Sequence, residues 1–138
     1  MRLFVAVQLP DEARRALGLV MREMATHPAG RHVRWVNLDQ THLTLKFLGE
    51  SPETAVEAVG RALTSAARQV EPFTLALGEV GVFPDRRRPR VIWVGIDAGE
   101  HAVALRDLHG GLERELARLG YAADDRAFSP HLTLGRVR

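Results

Sequence analysis

A chain of 138 residues, 46% of them hydrophobic and 26% charged, is long enough to bury a core without cross-links and lies far from the composition of a disordered chain. It has no cysteine, which excludes a disulfide framework, a thiolate zinc site and a cysteine nucleophile. The formal charge is +2, carried by arginine with Lys46 as the single lysine. That balance tolerates an anionic partner without demanding one.

Arg2 to Gln8 alternates and is rich in Val, Leu and Phe, which predicts a strand; a helical pattern opened by Pro10-Asp11-Glu12 then runs to about Thr26. The apolar opening stretch is broken by Gln8 and Pro10 before it reaches the length of a signal or a membrane span, so the cytoplasm is the expected location. Pro28-Ala29-Gly30 breaks the chain, Val33 to Val36 reads as a short extended piece, and His42 to Leu48 alternates strongly up to Gly49. Ser51-Pro52-Glu53 reads as a capped helix start with a first-turn proline, followed by an alanine-rich helix to Gln69. Phe73 to Phe83 predicts a strand or a bent strand pair, with Gly78 and Gly81 permitting bulges, Pro84 to Pro89 an arginine-rich loop, Arg90 to Ile96 an apolar strand, Glu100 to Leu119 a helix, and Phe128 to Val137 a last strand. The coarse order is β-α-β-β-α-β-β-α-β.

A weak repeat relates the two halves. Arg2-Leu-Phe-Val-Ala-Val before one helix is similar to Arg90-Val-Ile-Trp-Val-Gly before another, and each half then reaches the tetrapeptide His-Leu-Thr-Leu, at His42 and at His131. Side chains alternate along a strand, so in each tetrapeptide His and Thr share one face while both leucines anchor the other. Were the halves related by a pseudo-twofold, two imidazoles and two hydroxyls would converge. Cleaving a cyclic phosphodiester needs a base for the entering water and an acid for the departing alkoxide. Histidine, with an ordinary pKa of roughly 6.5, serves as either near neutral pH. Threonine hydroxyls and arginine can stabilise the phosphoryl oxygens, and the scheme requires neither metal nor cofactor.

At these residues the chain resembles the 2H phosphoesterase superfamily, and within it the bacterial and archaeal RNA 2′,3′-cyclic phosphodiesterases (2′-5′ RNA ligase-like, or LigT-like). The likeness also takes in Arg2-Leu-Phe-Val-Ala-Val, Arg34-Trp35-Val36, Phe47-Leu48-Gly49 and the run from Phe128 to Arg136. It implies hydrolysis of an RNA 2′,3′-cyclic phosphate to a 2′-phosphomonoester, with His42 as proton donor, His131 as proton acceptor, and Thr44, Thr133 and Arg136 on the phosphate; a symmetric site can also run its histidines in the opposite sense. The fold it implies is α+β, one bilobal domain over 1–138 with halves of about 1–83 and 90–138. These would be two similar lobes of antiparallel sheet with outer helices, related by a pseudo-twofold, with the active-site cleft between them. The family pattern continues past the second motif through at least one more strand, so a C-terminal strand of that pattern is expected to be missing at Arg138. Strict alternation would turn Arg136 away from His131 unless Gly135 introduces a bulge or the strand ends there.

Trp35 and Phe128 precede the two motifs and are candidate base-stacking residues, with core packing as their other reading. Arg34, Arg86, Arg87, Arg88 and Arg90 are candidate RNA contacts, the loop arginines reading equally well as a solvated turn. His27, His32, His101 and His109 show no metal-ligand spacing. The expected partner is RNA with a 2′,3′-cyclic phosphate end, with no membrane and no metal, and the expected state a monomer. The alternatives are 2′-5′ RNA ligation, hydrolysis of a small cyclic nucleotide, and a non-catalytic RNA-end-binding module.

Overall fold

The computed structural model describes residues 1–97 and 99–138. Among them the elements follow the predicted order: β1 (Arg2–Gln8), α1 (Asp11–Thr26), β2 (Val33–Trp35), β3 (His42–Glu50), α2 (Ala55–Arg68), β4 (Ala76–Phe83), β5 (Val91–Asp97), α3 (Ala102–Ala117) and β6 (His131–Val137). The fold is α+β with two antiparallel sheets, β1-β3 and β2-β6-β5-β4. No helix of the described residues is long and apolar enough to cross a membrane.

Two compact units are drawn from interleaved segments. One comprises Met1–Val5, Leu45–Ala76 and Asp97–Ser129; the other Ala6–Thr44, Leu77–Ile96 and Pro130–Arg138. They are not the consecutive halves 1–83 and 90–138 that the repeat predicts. The chain changes unit inside β1 and again inside β3, so each unit takes segments from both halves.

In the first unit α2 packs on α3, and Val59, Ala62, Ala66, Leu105, Leu112 and Leu116 of these helices are buried. Small residues bring the helices together: a methyl group on Gly111 would lie 3.5 Å from the Ala66 methyl. Ser51 does not cap α2, contrary to its sequence signature. The helix begins at Ala55, after a turn in which the Ala55 N–H donates to the Pro52 carbonyl. Ser51 is buried instead, and its groups are used elsewhere. Its amide donates to the Met1 carbonyl at 2.8 Å, its carbonyl accepts from the chain's terminal ammonium at 2.9 Å, and its hydroxyl accepts from Tyr121 at 2.9 Å. The N-cap position of α2 is Thr54, three residues on, and among the described residues no side chain caps the helix there.

In the second unit the core is Leu17 and Met21 of α1 with Leu43, Val94, Leu132 and Leu134 from strands. Strand β6 lies between β2 and β5. On the β2 side Val33, Arg34 and Trp35 oppose Val137, Arg136 and Gly135. On the β5 side Val91 and Ile92 oppose Arg136 and Gly135, and Trp93, Val94 and Gly95 oppose Thr133, Leu132 and His131. One step along β5, from Ile92 to Trp93, therefore corresponds to two along β6, which marks a bulge in β6 at Leu134.

Gly135 fits the crowded row beside that bulge because it has no side chain. A Cβ there would come within 2.5 Å of Val33 Cγ1 and 3.1 Å of Trp35 Cε3, and a β-branched valine has little rotamer freedom to retreat. Gly135→Ala is expected to lower stability by about 1–3 kcal/mol, the usual range for overpacking, as measured by urea unfolding. Wild-type stability in that variant would show that the row is looser than described.

Candidate active site

Both histidines open their strands, His42 at β3 and His131 at β6. The leucines between and after the motif positions are buried, Leu43, Leu45, Leu132 and Leu134 alike, whereas His42, Thr44 and Thr133 are half-buried and His131 is exposed. This is the alternation expected of the repeated tetrapeptide. His42, Thr44, His131 and Thr133 all fall within one compact unit, not one pair in each.

The segment before His42 is fixed from α1. Arg14 donates to the Leu9 carbonyl at 3.2 Å and through Nη1 to the Leu38 carbonyl, the latter inside a short helical turn, Leu38–Gln40. Thr41 closes that turn, its hydroxyl donating to the Asn37 carbonyl at 2.9 Å. The segment before His131 is tied to β5, where the Ile96 amide donates to the Pro130 carbonyl at 3.3 Å. Each imidazole thus emerges from backbone held on its N-terminal side.

The register across β6 determines which other groups share a face with His131. Directly opposite residues in an antiparallel pair point the same way, and Val91, Trp93 and Gly95 share one face of β5 by alternation. Their partners Arg136, Thr133 and His131 therefore share it too. The bulge at Leu134 restores to Arg136 the orientation that strict alternation would have removed. Imidazole, hydroxyl and guanidinium then line one strand face, a donor set suited to a phosphoryl group.

Trp93 is on this face as well. Its ring centroid lies 6.5 Å from that of His131 at an interplanar angle of 64°. The indole lies against Gly81 of β4, where a Cβ would come within 2.3 Å of the ring. Sequence reasoning passed over Trp93, whose signal is only the alternation of β5. Its placement beside His131 depends on a strand pairing 40 residues away along the chain, since Trp93 opposes Thr133 and Gly95 opposes His131.

The remaining candidates are distributed as follows. Arg34 opposes Arg136 on the same row and is exposed. Trp35 opposes Gly135, one row along and hence on the other face. There it lines a cavity of about 410 Å³ with Val33, Ile92 and residues of α1, and its indole N–H is buried without a hydrogen-bond partner. Phe128 belongs to the other unit and stacks on His109, centroids 3.9 Å apart and rings 7° from parallel. Arg86, Arg87 and Arg88 are exposed on a turn organised by Asp85, whose Oδ1 accepts from the amides of Arg87 and Arg88 at 2.8 and 2.9 Å. Arg90 is exposed, and its backbone joins that turn to the sheet through the Phe83 and Val137 partners.

His109 has acidic neighbours that linear spacing did not reveal. Ligand atoms of His109, Glu113 and Asp124 lie within 4.8 Å of one another, Glu113 one helical turn along and Asp124 from the loop beyond α3. A cation of the chain already stands among them. The ammonium of Lys46, its side chain 1% exposed, donates to both Glu113 oxygens at 3.0 and 3.1 Å, to the Ala122 carbonyl at 2.9 Å and to Asp124 at 3.4 Å. Lys46 and Glu113 accordingly form a buried ion pair whose ammonium is fully hydrogen-bonded.

The model of the LigT-like phosphoesterase family matches residues 7–93, a stretch that contains the first His-Leu-Thr-Leu. The RNA 2′,3′-cyclic phosphodiesterase of Geobacillus stearothermophilus is 32% identical over 133 residues, 96% of this chain but 41% of that protein. The RNA 2′,3′-cyclic phosphodiesterase of Methanothermobacter thermautotrophicus is 31% identical over 137 residues, 99% of this chain and 71% of the relative. Among solved structures, that of E. coli LigT complexed with 3′-AMP superposes with a TM-score of 0.74 at 32% identity, covering 98% of this chain and 72% of the other.

Proposed function

Because the chain belongs to the LigT-like phosphoesterase family, we propose that it opens a 2′,3′-cyclic phosphate at the end of an RNA chain, giving a 2′-phosphomonoester and a free 3′-hydroxyl. The observation that carries this reading is the single face shared by His131, Thr133 and Arg136, together with a second imidazole–hydroxyl pair, His42 and Thr44, on the matching tetrapeptide.

In the forward reaction water attacks phosphorus, forming the new P–O bond as the bond to the ribose 3′ oxygen breaks. His131 takes the water proton and His42 gives one to the 3′ oxygen, so the two imidazoles end each turnover with their protonation exchanged and reset by proton transfer with solvent. Arg136 and the threonine hydroxyls donate to the non-bridging oxygens, where negative charge accumulates. Acid, base and charge stabilisation all come from side chains, so turnover without added metal is expected. A cytoplasmic monomer is part of the same proposal.

Incubating the protein in EDTA with a short RNA ending in a 2′,3′-cyclic phosphate tests the reading. A 2′-phosphate end group is the expected product. A 3′-phosphate would reverse the regiochemistry, joined RNA halves would favour ligation, turnover of cyclic mononucleotides alone would favour a small-molecule phosphodiesterase, and binding without turnover would leave an RNA-end-binding module.

A further inference from the structure

Arg34 and Arg136 face each other directly across the β2–β6 ladder. Both are exposed, and among the described residues no carboxylate pairs with either. Like charges directly opposite on neighbouring strands disfavour the sheet. An arrangement that keeps two guanidiniums in register with no internal counterion is suited to anions supplied from outside.

One such anion is the cyclic phosphate itself, on the face where Arg136 joins Thr133 and His131. Arg34 lies one strand further out, on the β2 side of β6, displaced laterally by the spacing of neighbouring strands, about 4.8 Å. Two full positive charges side by side match two anionic groups better than one. From this row we infer that Arg34 forms a second phosphate subsite, which takes the backbone phosphate linking the terminal nucleotide of the RNA to its predecessor. The inference rests on the phosphodiesterase reading above and sharpens its substrate class: the enzyme selects the end of an oligonucleotide over a free cyclic mononucleotide, through charge and not through the identity of the base.

Three unreactive ligands test this: a nucleoside 2′-phosphate, a dinucleotide ending in a 2′-phosphate, and the same dinucleotide with a neutral methylphosphonate linkage. Their dissociation constants are compared for the wild type, Arg34→Ala, Arg34→Lys and the triple loop variant Arg86→Ala/Arg87→Ala/Arg88→Ala. The wild type is expected to bind the natural dinucleotide about tenfold more tightly than either other ligand, the range that one charge-assisted contact supports. In Arg34→Ala that preference falls to within about twofold. The slope of log affinity against log salt concentration for the dinucleotide falls by about 0.7, the loss of one phosphate contact to a single strand. Arg34→Lys keeps part of the preference, because the charge survives while the planar fork does not.

Four results would overturn the subsite: an undiminished preference in Arg34→Ala, equal weakening of all three ligands, equally tight binding of the methylphosphonate by the wild type, or loss of the preference in the loop variant instead. Failure of the phosphodiesterase reading shows separately, as absence of wild-type turnover on cyclic-ended RNA, because the binding comparison does not depend on turnover.

Discussion

His42→Ala and His131→Ala are each expected to lower kcat by about two to four orders of magnitude, the range for loss of a positioned general acid or base, with the far-ultraviolet circular dichroism and urea midpoint staying close to wild type. Neither imidazole is needed for packing in the way the adjacent leucines are: His131 is exposed and His42 half-buried, whereas Leu43 and Leu132 are 3% and 1% exposed. The two variants also separate the roles. A substrate whose leaving group is a good phenolate needs no proton from the enzyme, so it restores much of the rate in the variant lacking the acid and little in the variant lacking the base. Rescue of His42→Ala alone supports the sense proposed above, and rescue of His131→Ala alone reverses it. Wild-type rates in either one would end the two-histidine mechanism.

The second large effect is on stability. Lys46 is buried among Glu113, Asp124 and the Ala122 carbonyl, and Glu113 is itself only 17% exposed. Removing the ammonium leaves a carboxylate in a poorly solvated place, so Lys46→Ala is expected to cost about 3–5 kcal/mol, the penalty for breaking a buried ion pair from one side. Urea denaturation of Lys46→Ala, Glu113→Gln and the double variant gives the coupling. The double variant should be less destabilised than the two single effects added together, because the buried Glu113 carboxylate is no longer left without its partner. Strict additivity would mean that the carboxylate finds water when the lysine is gone. Asp124, nearly half exposed, contributes less, and Asp124→Asn should fall well below Glu113→Gln.

The element order was legible because each strand and helix carries its own periodicity, and because glycine and proline punctuate the chain at its turns. The repeated tetrapeptide was legible because alternation is a local rule: two apolar anchors on one face fix the imidazole and hydroxyl on the other. What escaped was decided by partners far away in sequence. Ser51 has the local signature of a cap, but Tyr121 and Met1 claim its hydroxyl and its amide. The lone lysine gave no hint that Glu113, 67 residues on, would receive it. Trp93 reached the site face, and Trp35 the other one, by a register that no local pattern sets. The interleaving of the units was hidden as well, since a repeat in sequence suggests consecutive halves, whereas the chain passes from one unit to the other within a continuous strand.

The extra residue in β6 bears on how related sequences are compared. Thr133 and Arg136 are three apart and share a face because one residue between them is absorbed by the bulge. Were that residue deleted, the two would stand two apart on a regular strand and would still share a face. Elsewhere in the strand a change of length by one turns every following side chain over. This interval is therefore a place where loss of one residue is silent for the site, and a gap opened there in an alignment does not signify loss of the arginine.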